Sequence, residues 1–185
     1  RMFVFFLVLF FSFVLFLTNH AKNYREQQSR AQFSTWSVMS APLLISADVG
    51  QVSTNQLNIW SNEYVINISQ SFRTGGPYQG TRLVGSDLNY GKATDGTYTG
   101  SGSNVWGKLL ADGAVALVFV SNEDSATNVT CDSSCFKQVM DDSVNSYSYH
   151  EVWSGAKGTL TRPFSMTNLI QPHGGVEVYQ FKPQT

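Results

Sequence analysis

Charged side chains are scarce in this sequence: they make up 14% of its 185 residues, and the formal net charge is −1. This charge balance argues against a nucleic acid or an acidic membrane surface as a partner, because both select basic surfaces. No phosphate-binding loop or basic patch is present either. Glycine, serine, threonine and asparagine are plentiful, which favours a β-rich extracellular protein over a helical cytosolic one. The length allows one domain and part of another.

Cysteine is nearly absent, since the chain contains only Cys131 and Cys135. Two cysteines are too few for a disulfide-stapled scaffold, although they could form one local bridge. Their spacing would also suit half of a zinc site, but no second pair supplies the other ligands. We therefore predict a disulfide between Cys131 and Cys135, with no metal site and no cofactor.

Histidine is also rare, with His20, His150 and His173 scattered along the chain. No serine elbow or acidic partner motif accompanies them, which argues against a nucleophilic triad. His173 precedes two glycines and is predicted to be a turn residue that leads into the last strand.

Polar residues are missing from the start of the chain, where Ser12 is the only polar side chain in residues 2–17. Residues 1–24 have three interpretations: a signal peptide, a membrane anchor, or a gene-model artefact that is not native protein sequence. A signal-peptide core has about 7–15 apolar residues and a membrane span about 17–25, so the run is borderline for both. A membrane partner follows only if this leader is an uncleaved anchor.

Residues 25–74 have the pattern of an α/β unit. Phe33 and Trp36 recur at helical spacing, residues 42–46 form a short apolar run typical of a strand buried on both faces, and a second helix is predicted to begin at Ser53 or Thr54. Helix, buried strand and helix in succession indicate a barrel or a doubly wound sheet. Residues 65–68 alternate like a short strand, and the glycine-proline break at residues 74–77 is the predicted domain boundary.

Residues 75–185 are predicted to form an antiparallel β-sandwich, because short apolar runs alternate with turn residues. Asp112 and Gly113 are a hairpin signal, and the most strand-like segment, residues 114–120, follows them. Residues 89–103 are rich in glycine and serine and are predicted to be an exposed loop.

Two sets of sequence words resemble the α-galactosidases of glycoside hydrolase family 27. WSVMSAPLLIS at residues 36–46 and WSNEYVI at residues 60–66 are similar to the last βα unit of that family's barrel. NVWGK at residues 104–108, EVWSG at residues 151–155 and PHGGV at residues 172–176 are similar to its C-terminal domain. The resemblance implies a mainly β chain: a C-terminal antiparallel β-sandwich preceded by a remnant of a (β/α)8 barrel.

The resemblance also implies a fragment of an enzyme that hydrolyses terminal α-galactosides by a retaining, two-carboxylate mechanism. The family's KxDxC-like and GDxW-like motifs, which carry the two catalytic aspartates, do not occur in this chain, so no catalytic residue is predicted and the chain alone should be inactive. Asp48 follows the predicted barrel strand and is interpreted as a cap or turn residue rather than a pocket carboxylate. The alternative function is a non-catalytic secreted β-sandwich module that binds carbohydrate or a partner domain.

Other residues bear on carbohydrate and on compartment. Four aromatic residues could form a sugar-stacking platform, although a sandwich core uses such residues more often: Trp106, Tyr147, Tyr149 and Trp153. Asn67 and Asn128 both lie in N-glycosylation acceptor sequences. Together with the resemblance, these features predict a secreted protein or one in a lysosome-like or vacuole-like compartment.

Overall fold

A computed structural model describes residues 22–45, 47–71, 79–92 and 98–184. Nearly all of the predicted leader and the predicted break at residues 74–77 lie outside the described residues. Within these ranges, three α-helices come first, and ten strands with a short fourth α-helix follow. No helix in the described ranges is long and apolar enough to cross a membrane.

The three N-terminal helices are α1 (Lys22–Val38), α2 (Thr54–Trp60) and α3 (Glu63–Gln70). The first two confirm the predicted helices. Ser53 caps α2, because its hydroxyl accepts a hydrogen bond of 3.2 Å from the Gln56 N–H. Asn62 caps α3 in the same way, as its side-chain oxygen accepts from the N–H groups of Tyr64 and Val65.

Two predictions for this N-terminal segment are wrong. Residues 65–68 are helical rather than a strand, because Asn62 starts a helix whose Val65 and Ile68, three residues apart, are both buried. Residues 42–45 form no strand, and Leu44 and Ile45 are 67% and 50% exposed. A buried parallel strand needs neighbours to pair with, and no strand pairs with this segment in the described part of the chain.

The C-terminal half confirms the predicted mainly β, antiparallel architecture. Its large sheet has the strand order β1-β4-β5-β10-β7-β8, and every pair in it is antiparallel. The strands of this sheet are β1 (Thr81–Gly85), β4 (Ser103–Leu109), β5 (Val115–Ser121), β7 (Ser146–Glu151), β8 (Lys157–Thr161) and β10 (Gly175–Pro183). The predicted hairpin is present between β4 and β5, where Gly113 has a φ of 71°.

Four further strands form two ribbons. They are β2 (Asn89–Lys92), β3 (Tyr98–Ser101), β6 (Thr127–Cys131) and β9 (Met166–Ile170), paired β2 with β3 and β6 with β9. The prediction of a plain exposed loop over residues 89–103 is therefore wrong. Two side chains from outside this hairpin hold it in place. Asn122 Nδ2 donates to the Asn89 carbonyl, and Asp124 Oδ1 accepts from the Gly100 N–H at 2.7 Å.

The large sheet is covered on both faces, which explains why all seven residues of β5 are buried. One face packs against β6, β9 and α4 (Ser133–Phe136), around a core that includes Phe119, Phe136 and Phe181. The opposite face packs against α1, α2 and α3, around a core that includes Phe33 and Val118. The helices predicted to belong to a barrel thus share a hydrophobic core with the sandwich sheet.

Candidate functional site

The helix-covered face of the sheet joins the two predicted units of the chain. Trp153, just after β7, donates its indole N–H to the Ser34 hydroxyl of α1 at 3.2 Å. The Arg30 guanidinium lies 5.2 Å from the centre of the same indole ring. At the end of α1, the Val38 carbonyl accepts a hydrogen bond of 2.9 Å from the Gly80 N–H. Polar contacts therefore supplement the apolar core of this interface.

Lys108 is the most unusual residue of this interface, because it is a lysine of which only 1% is exposed. It lies on β4, and its ammonium group donates to the carbonyls of Ile68 at 2.5 Å and Ser69 at 3.1 Å. These carbonyls end α3, where the helix dipole favours a positive charge. Burial lowers the pKa of Lys108 to about 8. Lys108 thus anchors the last helix of the N-terminal segment to the sandwich.

Sequence reasoning missed this role of Lys108. Burial of Lys108 was indicated only by the alternation along β4. This alternation places Lys108 on the same face of the sheet as Trp106, which packs against the helix-side core. A lysine in such a pattern is usually exposed.

Asp48 has the local role that its position predicts. Its carboxylate accepts a hydrogen bond of 3.0 Å from the Gly50 N–H and caps the short 3-10 helix Val49–Gln51. No group of three or more histidine, cysteine, aspartate or glutamate residues suited to a metal ion occurs among the described residues. Asp48 is therefore a turn residue in this structure.

The two histidines that the structure describes, His150 and His173, lie in unrelated places. His173 lies in the turn before β10 with a φ of 58°, and its backbone N–H donates to the Glu123 carbonyl, which confirms the predicted turn. Its imidazole Nδ1 is 3.5 Å from Asp124 Oδ1. His150 lies on β7, and the centre of its ring is 4.4 Å from the centre of the Tyr64 ring in a T-shaped arrangement. His20 lies outside the described residues.

The four candidate platform aromatics do not share one surface. Trp106 and Trp153 pack against the helix-side core, whereas Tyr147 and Tyr149 pack on the opposite face of the sheet. Tyr147 is fully buried, and its hydroxyl accepts a hydrogen bond from the Asp141 N–H. The alternation of strand side chains separates the two pairs, so these residues serve the two cores and not a common sugar platform.

Cys131 and Cys135 form the predicted disulfide, with their Cα atoms 5.2 Å apart. Both are buried in the core between the large sheet and the β6–β9 ribbon. Asp132 between them caps α4, and hydrogen bonds from the Ser134 side chain and the Cys135 and Ser134 N–H groups lower the pKa of Asp132. The bridge and the cap together fix the turn that carries Phe136 into the core.

Comparison with known proteins bears on both halves of the chain. The family model described as alpha galactosidase A matches residues 15–71. A probable alpha-galactosidase of Dictyostelium discoideum is 25% identical over 145 residues, which are 78% of this chain and 33% of that protein. The alpha-N-acetylgalactosaminidase of Gallus gallus is 32% identical over 110 residues, which are 58% of this chain and 22% of that protein.

Solved structures share the fold. The alpha-galactosidase of Saccharomyces cerevisiae, determined with raffinose, superposes with a TM-score of 0.71 at 14% identity, covering 91% of this chain and 45% of that chain. Alpha-galactosidase I of Mortierella vinacea gives 0.64 at 18% identity, covering 85% and 36%. A third neighbour, at 0.63, is a β-L-arabinopyranosidase of glycoside hydrolase family 27 from Geobacillus stearothermophilus.

The matches cover most of this chain but only a part of each relative. The chain spans about a third or less of the curated relatives' lengths and less than half of these solved chains. The sequence relatives and the structural neighbours carry the names of α-galactosidases, α-N-acetylgalactosaminidases and one family 27 arabinopyranosidase. The chain is therefore similar, in sequence and in fold, to part of the α-galactosidases and related enzymes of glycoside hydrolase family 27.

Proposed function

We propose that this chain is the C-terminal part of an α-galactosidase-like glycoside hydrolase and is inactive by itself. Residues 25–74 are the last βα unit of a (β/α)8 catalytic barrel, and residues 75–185 are the β-sandwich domain that packs against it. The full-length enzyme removes terminal α-linked galactose or N-acetylgalactosamine with two carboxylates, one as nucleophile and one as acid/base. Relatives with printed names of both kinds support this pair of substrate classes.

The observation that carries this proposal is the exposure of Leu44 and Ile45 within the segment that the family model matches. Apolar runs of this kind are typical of parallel strands covered on both faces, by side chains inside a barrel and by helices outside. The helices on either side of the run, together with Leu43, are already packed on the sandwich, whereas Leu44 and Ile45 are uncovered. Barrel strands from the rest of the enzyme would supply the missing pairing and cover.

The chemistry supports inactivity of the chain alone. A retaining glycosidase needs two carboxyl groups about 5–5.5 Å apart. Asp48 is the acidic residue that follows the barrel-type run, and its carboxylate is committed to the Gly50 N–H. With one carboxylate in a turn and no partner motif in the sequence, neither the nucleophile nor the acid/base is supplied.

The test is an assay of residues 1–185 with a chromogenic α-galactoside and a chromogenic α-N-acetylgalactosaminide. We expect no turnover above a buffer control, and the same result for Asp48→Asn. Turnover that Asp48→Asn abolishes would overturn the proposal. The coding sequence upstream of Arg1 gives the positive arm: joined to exons that encode both aspartate motifs, the chain should gain activity, and substitution of either aspartate should remove it.

The compartment is part of the proposal. The protein is secreted or functions in a lysosome-like or vacuole-like compartment, where a disulfide such as Cys131–Cys135 persists. Cytosolic glutathione and thioredoxin would keep these thiols reduced. A mass measurement on protein from its own cells, with and without reduction and alkylation, tests this point, and free thiols on the untreated protein would contradict it.

A further inference from the structure

The outer face of the β6–β9 ribbon consists of four side chains, two from each strand. The two strands are antiparallel, and Asn128 is paired with Leu169 while Thr130 is paired with Thr167. The strand alternation exposes these four side chains together, whereas Val129 and Ile170 point into the core and are buried. The hydroxyls of Thr130 and Thr167 lie 2.8 Å apart and are hydrogen-bonded.

Leu169 is the apolar member of this outer face and is 55% exposed. Its direct cross-strand neighbour is Asn128, the first residue of an Asn-Val-Thr acceptor sequence. Side chains directly opposite one another on an antiparallel pair have Cβ atoms about 4.5–5.5 Å apart. A group attached to the Asn128 amide would therefore begin within contact distance of the Leu169 side chain.

We propose that Asn128 carries an N-linked glycan whose first N-acetylglucosamine lies over Leu169 and shields it from water. In the transfer, the Asn128 Nδ2–H bond breaks and an Nδ2–C1 bond forms to the sugar. The C1–O bond of a lipid-diphosphate-linked oligosaccharide donor breaks at the same time, and the proton leaves with the lipid diphosphate. The attached sugar ring presents C–H groups to the leucine and hydroxyls to the solvent.

The shield has a structural purpose on this ribbon. An exposed apolar side chain on a two-stranded ribbon favours association with another chain, and bulky polar groups at such places prevent it. Thr130 and Thr167 hold the two strands in register beside the acceptor, so the position of Leu169 relative to Asn128 is fixed. The inference requires the secretory compartment proposed above but not the hydrolase activity, so either can fail without the other.

The experiment uses residues 1–185 secreted from a eukaryotic host behind a heterologous signal. Intact-mass measurement of the wild type, Asn128→Gln and the matched Asn67→Gln variant reports occupancy at each acceptor. We expect Asn128→Gln to lose the mass of one glycan that Asn67→Gln retains. A wild type without a glycan at Asn128 would overturn the proposal.

The shielding role is tested by trimming the glycan in two ways. An endoglycosidase leaves one N-acetylglucosamine on Asn128, whereas an amidase removes the sugar entirely. We expect the one-sugar form to stay as monomeric as the intact form in light scattering, and the fully stripped form to gain aggregate and bind more of an apolar dye. In Leu169→Thr the stripped form should lose that gain. Equal behaviour of all three forms, or an unchanged gain in Leu169→Thr, would refute the shield.

Discussion

Replacement of Lys108 by methionine tests whether this lysine anchors the N-terminal segment to the sandwich. Methionine keeps an unbranched side chain of similar length in the core and removes the amine. The carbonyls of Ile68 and Ser69, at the C-terminal end of α3, then lose their hydrogen-bond donor. The substitution therefore isolates the hydrogen bonds from the packing of the side chain.

The expected loss follows from the number and type of these bonds. Hydrogen bonds from a charged donor are worth about 1.5–3 kcal/mol each, and the cost of desolvating the ammonium offsets part of the sum. We expect Lys108→Met to lower the free energy of unfolding by about 2–4 kcal/mol, a large share of the roughly 5–15 kcal/mol of a typical domain. Helix α3 should detach first, since Ile68 is buried only while it packs on the sheet.

The assay is urea unfolding of residues 1–185 followed by tryptophan fluorescence, with Lys182→Met as the matched control. Lys182 lies on β10 and is exposed, so its replacement should change the stability by less than about 0.5 kcal/mol. If Lys108→Met changed the stability no more than Lys182→Met, the amine would not be the anchor that the contacts indicate.

The pH dependence of the same variant provides an independent check. Because burial lowers the pKa of Lys108 to about 8, the folded chain releases its proton at a lower pH than the unfolded chain, for which the pKa is about 10.4. Between these values the unfolded state binds more protons, so stability should rise with pH. From pH 8 to 9.5 we expect the wild type to gain about 1 kcal/mol relative to Lys108→Met, after allowance for solvent screening. A constant difference would refute the lowered pKa.

Two further predictions concern backbone turns and the disulfide. Gly102→Ala should lower the free energy of unfolding in urea by more than about 2 kcal/mol, since φ is +94° and an added Cβ would meet the Asp87 carbonyl oxygen at 2.0 Å. Gly155→Ala, with a φ of +76° and no atom within 4 Å of the added Cβ, should lower it by only about 1 kcal/mol. Equal losses in the two variants would contradict the clash at Gly102. Replacing both Cys131 and Cys135 by serine should lower the free energy of unfolding by roughly 2 kcal/mol, and the reduced wild type should match the variant in thermal unfolding. A variant with the melting temperature of the oxidised wild type would show that the Asp132 cap alone holds the turn.

The sequence-based predictions were correct where the structure is set by residues close together in the sequence. The hairpin at Gly113 and the strand after it were predictable, because an Asp-Gly pair that tolerates positive φ and an apolar run rich in valine are local signals. The cap of α2 by Ser53 was predictable for the same reason. The Cys131–Cys135 bridge needed only two cysteines four residues apart.

Some errors came from segments whose structure depends on distant partners. Four residues at 65–68 alternate well enough for a strand, and only the burial of Val65 and Ile68 against the sheet settles that they are helical. The strands β2 and β3 each contain a glycine and no apolar run, so their pairing depends on Asn122 and Asp124 from another part of the chain.

The sequence by itself determined the antiparallel β half, the N-terminal helices and the absence of both catalytic aspartate motifs, since each is written in local pattern or residue identity. The tertiary structure alone decided that Lys108 lies buried beneath α3, that the candidate platform aromatics divide between two faces, and that Leu169 faces Asn128 across a ribbon. These last features join residues 39 to 41 positions apart, or concern opposite faces of one sheet. Their energies arise only when the chain has brought the partners together, and no local pattern encodes that contact.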